Sequence, residues 1–113
     1  MCFSKNASLS MFIAGIVTSL YFYKNKMPIY AVVSIYYSLM QLIHYFGYIH
    51  INDCKNKTNK IMSRLNFIHI AFQPFMTLIG AYEVFKKLNI ITSNQLIQLK
   101  GIIIIALLTS IFQ

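Results

Sequence analysis

The chain has 113 residues, of which 58% are hydrophobic and only 11% are charged. Soluble domains carry about 25% charged residues, so this composition lacks the polar side chains that cover a water-soluble domain. The length is that of one domain. A net charge of +8 would suit nucleic acid, but the basic residues stand in short connectors between apolar segments. We therefore expect a membrane protein that binds no nucleic acid.

The first apolar segment comprises residues 7–23 and contains no charged side chain. Ser8 is placed to cap its N-terminus. Gly15 and Ser19 are four residues apart, and such pairs of small residues let two helices approach closely in lipid. The segment predicts a short membrane-spanning helix.

The second segment, residues 27–51, contains no Lys, Arg, Asp or Glu. Pro28 lies where a helix tolerates proline, in its first turn. Gln41, His44 and Tyr45 recur at helical spacing and form part of a polar face. Because the connector before this segment is short, we expect the second helix to run antiparallel to the first.

The third segment, residues 61–85, has a charged residue near each end, Arg64 and Glu83. A helix of this length spans roughly 37 Å, enough to cross a hydrocarbon layer of about 30 Å. A stripe of polar residues crosses its middle, and Pro74 within it cannot donate a hydrogen bond to the carbonyl of Ile70. The sequence therefore predicts a kinked helix with one polar face.

The polar faces of the second and third helices lie at comparable depth and form one candidate polar cavity. Its predicted residues, with the kink at Pro74, are Gln41, His44, Tyr45, Asn66, His69 and Gln73. Polar groups in lipid turn inward and pair, so they either join the helices or line a route for a small solute, ion or proton. Zinc hydrolysis would need a third ligand, commonly a carboxylate, which is absent at mid-depth. We assign no catalytic residue, metal or cofactor.

The fourth segment, residues 93–113, follows a capping box formed by Thr92 and Gln95. Lys100 interrupts it, and the purely apolar remainder, residues 101–113, rises only about 20 Å. A full crossing therefore requires Lys100 to snorkel. We expect the chain to end as though a longer membrane protein had been cut.

The basic residues fall in the connectors and indicate contacts with lipid headgroups, including anionic ones. With four spans, five basic side chains lie on each side of the membrane, so the positive-inside rule assigns no orientation. Cys2 and Cys54 would share one side, and free thiols are the default expectation. Glu83 and Lys87 have the spacing of a helical surface ion pair.

The start Met1-Cys2-Phe3-Ser4, with Ala7-Ser8 after it, resembles the start of a family of uncharacterised multi-pass membrane proteins of bacteria and large DNA viruses. Gln41 and the run Phe72-Gln73-Pro74 are similar to positions in that family. The resemblance covers the first three helices. It implies a viral or bacterial membrane protein that is a short member of the family, or the N-terminal half of a longer one with about seven helices. It implies no activity.

Together these features predict an all-α integral membrane helical bundle, a single membrane domain over residues 1–113 with three transmembrane helices and a fourth C-terminal one. We expect a non-enzymatic structural or assembly component of a membrane, whose partners are the lipid bilayer and copies of itself or another membrane protein. The alternatives are a solute, ion or proton pathway lined by the second and third helices, and a vestigial membrane-embedded metal hydrolase.

Overall fold

The computed structural model describes residues 4–52 and 57–112. Four helices make up most of this part of the chain, and it contains no strand: α1 (Lys5–Lys24), α2 (Pro28–Ile49), α3 (Lys57–Leu88) and α4 (Ser93–Ile111). The predicted all-α fold is confirmed. Cys2, Cys54 and the predicted arrangement of their thiols lie outside the described residues.

The helices belong to two compact units, residues 1–69 and residues 70–113. The first unit contains α1, α2 and the first part of α3. The second unit contains the remainder of α3 and α4.

Helix α1 begins at Lys5, two residues before the predicted start, because Ser4 is its cap. The Ser4 hydroxyl accepts a hydrogen bond from the backbone N–H of Ala7 at 3.3 Å. The prediction that Ser8 caps this helix is wrong. Ser8 lies one turn inside α1 and is completely buried.

A tight turn reverses the chain between α1 and α2. The backbone N–H of Asn25 donates to the carbonyl of Tyr21 at 3.1 Å, and Lys26 takes a left-handed conformation with φ of 57°. Pro28 follows at the first position of α2, where its missing N–H costs no helical hydrogen bond.

Helix α3 is longer than predicted, since it starts at Lys57 and ends at Leu88. Its first turn, residues 57–60, precedes the predicted third segment, but Lys, Thr and Asn residues do not prevent a helix. Asn89 ends it in a left-handed conformation with φ of 50°, a common helix terminus for Asn. The capping box of α4 is confirmed: Gln95 accepts from the backbone N–H of Thr92 at 2.8 Å.

Helices α1 and α2 pack closely through small residues. The Ser19 hydroxyl donates to the carbonyl of Ala31 at 2.9 Å, and the Ser34 hydroxyl donates to the carbonyl of Gly15 at 3.0 Å. A Cβ atom added at Gly15 would lie 2.9 Å from the Cβ of Ser38. These contacts confirm both the antiparallel pair and the predicted role of the Gly15–Ser19 face.

Three helices of the described part of the chain are long and apolar enough to cross a membrane, namely α1, α2 and α4. Four spans were predicted, and by length and composition α4 meets the prediction of a C-terminal span whereas α3, the predicted third span, is not among the three. Helix α3 is less apolar because Asn66, His69 and Gln73 interrupt its central turns. Helix α4 is the most apolar of the three despite Lys100.

Replacement of Gly15 by alanine tests the close α1–α2 contact. We expect Gly15→Ala to lower stability by about 1–3 kcal/mol, because the added methyl group overpacks the interface. Thermal unfolding of the purified chain in detergent measures the change.

Gly101→Ala is the matched control, since no atom lies within 4 Å of a Cβ added there. The double variant Gly15→Ala/Ser38→Gly removes the opposing side chain and should restore most of the stability. Equal stability of Gly15→Ala and Gly101→Ala would show that the helices do not meet at Gly15.

A polar cluster between helices α2 and α3 as the candidate functional site

An aromatic contact joins α2 to α3 within the first unit. The rings of Tyr36 and His69 stack, with centroids 3.9 Å apart and planes inclined by 14°. The Tyr36 hydroxyl also donates a hydrogen bond to the backbone carbonyl of His69. One tyrosine therefore holds both the ring and the backbone of His69, which fixes the position of the imidazole.

Two buried polar atoms of α3 lack hydrogen-bond partners among the described residues. They are Nε2 of His69 and Oδ1 of Asn66. His69 as a whole is only 8% exposed. The two residues are three apart and therefore lie on one face of the helix. Because an unpaired buried polar atom costs about 1–3 kcal/mol, this face is suited to a ligand or water that supplies the missing hydrogen bonds.

A cleft of about 150 Å³ lies next to this face, between the end of α2 and the beginning of α3. Asn66 and His44 both line it. Its lining residues comprise polar and apolar side chains from the two helices and their ends: Ile43, His44, Gly47, Tyr48, Ile51, Asn59, Met62, Ser63 and Asn66. Gly47 adds room, since no atom lies within 4 Å of a Cβ placed there.

The remaining predicted residues of the first unit face α1. Gln41 lines a separate groove together with Met11 and Gly15, and its Oε1 is buried without a partner in the described part of the chain. Tyr45 lies under the ammonium group of Lys5, whose Nζ is 5.6 Å from the ring centroid.

Gln73 and Pro74 belong to the second unit, where they line a shallow groove with Ile70, Thr77 and Leu78. The carbonyl of Gln73 accepts a hydrogen bond from the Thr77 hydroxyl at 2.9 Å. The predicted residues therefore lie in several surroundings. The structure brings His44 and Asn66 into one cleft, and fixes His69 one turn further along α3.

Two residues important for this geometry were not predicted as part of the site. Tyr36 was only one of several tyrosines of the second segment, and its partner is 33 positions away. Gly47 follows His44 by three residues, so it lies on the same helical face. From that spacing, the sequence could have predicted that the absence of a side chain at Gly47 leaves space beside His44.

Lys100 has a specific neighbour in the second unit. Its Nζ lies 5.8 Å from the ring centroid of Tyr82, a distance at which a cation and an aromatic face attract. This contact gives the charge in the middle of α4 an aromatic partner on α3.

The described residues contain no group of three His, Cys, Asp or Glu side chains that could hold a metal ion. What the candidate site offers is hydrogen bonding, through an imidazole and an amide beside a small cleft.

A family profile matches residues 6–113, which is nearly the whole chain, and the family is described as one of unknown function, DUF5765. The chain belongs to this family. Membership in DUF5765 agrees with the expectation of an uncharacterised family, while the matched region begins after the Met1–Ser4 start. No curated protein and no solved structure matches the chain.

Tyr36→Phe tests the link between α2 and α3. Loss of the hydroxyl should lower stability by about 0.5–1.5 kcal/mol, because the hydrogen bond to the His69 carbonyl is lost. Tyr36→Leu removes the ring stacking as well and should cost more. Thermal unfolding in detergent measures both variants.

Tyr23→Phe is the control, since Tyr23 is 71% exposed. A Tyr36→Phe variant as stable as Tyr23→Phe would contradict a stabilising role for the Tyr36 hydroxyl.

Proposed function

We propose that this chain is a multi-pass integral membrane protein that acts as a structural or assembly component and catalyses no reaction. The observation that carries the proposal is the distribution of polarity in the first unit. Its buried described residues are small or polar: Ser8, Ser19, Ala31, Ser38 and His69. A water-soluble domain buries mainly large apolar side chains, which is the opposite arrangement.

The large apolar side chains of the first unit lie outside. Ile13 and Val17 on α1 are 54% and 61% exposed, and Val32 on α2 is 57% exposed. Lipid is the solvent in which such a surface is stable, while serine hydroxyls and an imidazole are better placed between helices. The three apolar helices supply the required lengths.

Helix α3 is proposed to cross the membrane with its polar face turned toward α2. The contact between Tyr36 and His69 supports this orientation, as does the exposure of Phe67 and Ile68 on other sides of the helix. The arrangement satisfies polar groups between helices and leaves apolar groups to lipid.

A role in assembly follows from the chemistry that the site offers. Helix pairs held by small residues and hydrogen bonds associate in lipid without a catalytic group. The exposed apolar faces of α1 and α2 are suited to lipid and to copies of this chain or another membrane protein. The basic connectors are suited to anionic headgroups.

The second candidate function is a route for a small solute, an ion or a proton between α2 and α3. The unpaired atoms of Asn66 and His69 favour it, because intramembrane polar groups often line such routes. His44 in the adjoining cleft would belong to the same route.

Membrane extraction tests the location of the chain. After expression with a small tag, we expect the protein to remain in the membrane pellet through a wash with alkaline carbonate and to dissolve only in detergent, because its helices are embedded in hydrocarbon. Immunoblots of pellet and supernatant measure the partition. Recovery as a dissolved monomer in the carbonate supernatant would contradict the proposal.

The double variant His44→Leu/His69→Leu separates assembly from transport. Reconstituted vesicles loaded with a pH-sensitive dye measure proton flux, with a second series for small solutes. We expect wild type and variant to show the same leak as protein-free vesicles, because the imidazoles serve packing. Flux in the wild type that the variant loses, with its helicity unchanged, would favour the pathway.

A further inference from the structure

The lining of the α2–α3 cleft carries no formal charge. The described residues that line it include no Asp, Glu, Lys or Arg, and its polar side chains are those of His44, Tyr48, Asn59, Ser63 and Asn66. A charged ligand would lose its hydration here without gaining a counter-charge, which is strongly unfavourable. The cleft is therefore suited to an uncharged ligand.

The unpaired Oδ1 atom of Asn66 indicates which hydrogen-bonding group the ligand must have. Its Oδ1 is buried and has no donor among the described residues, and an amide oxygen only accepts. The ligand consequently has to donate. A hydroxyl group is an uncharged donor that can also accept from Ser63 or His44 in the same lining.

The remaining residues of the cleft wall indicate that the ligand has a hydrocarbon part next to its hydroxyl group. Ile43, Ile51 and Met62 are apolar, and Gly47 leaves the α2 wall open. The volume of about 150 Å³ is below the roughly 300–1,000 Å³ of pockets that enclose a whole drug-sized molecule. Only the polar end of an amphiphile would enter, while its apolar part would stay outside.

The place of the cleft in the fold agrees with such a ligand. Ile51 and Asn59, on the two sides of the connector between α2 and α3, both line it. The cleft therefore lies near the helix ends, which are the parts nearest the membrane surface in a spanning bundle. Lipid hydroxyl groups lie at that depth.

We propose that this cleft binds the hydroxyl end of an uncharged lipid alcohol, such as a diacylglycerol or a sterol, with the hydroxyl donating to Asn66. The proposal rests on the membrane location proposed above. Assembly and binding are compatible, since the bound lipid would fill the space between two helices whose other contacts hold the pair.

Photolabelling of the purified full chain in detergent micelles tests the proposal. Diazirine-bearing diacylglycerol and sterol probes are compared with a diazirine-bearing phosphatidylserine, and the labelled peptides are mapped by mass spectrometry. We expect one or both uncharged probes to label residues 43–51 or 59–66, and the matching unlabelled alcohol to compete. The probe that labels more strongly identifies the lipid class.

Two variants make the test specific. Gly47→Leu fills the open wall and should abolish labelling, and Asn66→Leu should weaken it about tenfold through loss of one hydrogen bond. Gly101→Leu, on α4 and away from the cleft, should label as the wild type does. Thermal unfolding confirms that each variant is folded.

Equal labelling of Gly47→Leu and wild type would overturn the proposal, as would equally strong labelling by phosphatidylserine. Competition by free glycerol at the same concentration as the lipid would exclude a lipid ligand. These results concern the detergent-purified chain, so they are distinguishable from a failure of membrane extraction, which would contradict the location itself.

Discussion

The close approach of α1 to α2 at Gly15 is the contact on which the first unit depends. Serine hydroxyls of each helix reach backbone carbonyls of the other, which is possible only because no Cβ separates the helices at this point. Ala31 is the one apolar residue that is fully buried among the described residues of this unit, so few large apolar side chains are enclosed between its helices. Van der Waals packing and hydrogen bonds therefore hold the pair, as they do for helices in lipid.

The proposed membrane location also constrains the polar cluster between α2 and α3. A polar side chain surrounded by lipid has to find a partner on a neighbouring helix or leave its hydrogen-bonding capacity to a ligand. Tyr36 supplies a partner for the His69 carbonyl and covers the imidazole ring, whereas Asn66 and the Nε2 atom of His69 are left open. The contact with Tyr36 and the polar atoms available to a ligand thus lie on neighbouring turns of α3.

The helices and the type of contact between α1 and α2 could be predicted from the sequence, because they depend on local signals. These signals are the apolar runs, Pro28, the Thr92–Gln95 box and the Gly15–Ser19 spacing. The N-cap of α1 could not be predicted, because Ser4 and Ser8 are both suitable capping residues. The backbone conformation decides between them, and it places Ser4 at the cap. The polar cavity was predicted only from which polar residues share a face of each helix. Which neighbour each face meets depends on how the helices rotate, so Gln41 and Tyr45 lie toward α1 while His44 lies toward α3.

The surroundings of the outer face of α1 show whether lipid or water is the solvent of this helix. A spin label at Ile13, in a chain whose native cysteines are replaced by serine, is reconstituted into vesicles and compared with a label at Lys26 in the α1–α2 turn. Collision rates with oxygen, which dissolves in hydrocarbon, and with a water-soluble nickel chelate measure the surroundings of each label. We expect oxygen but not the nickel chelate to reach the label at Ile13, and the nickel chelate to reach the label at Lys26. Nickel access at Ile13 equal to that at Lys26 would contradict this expectation.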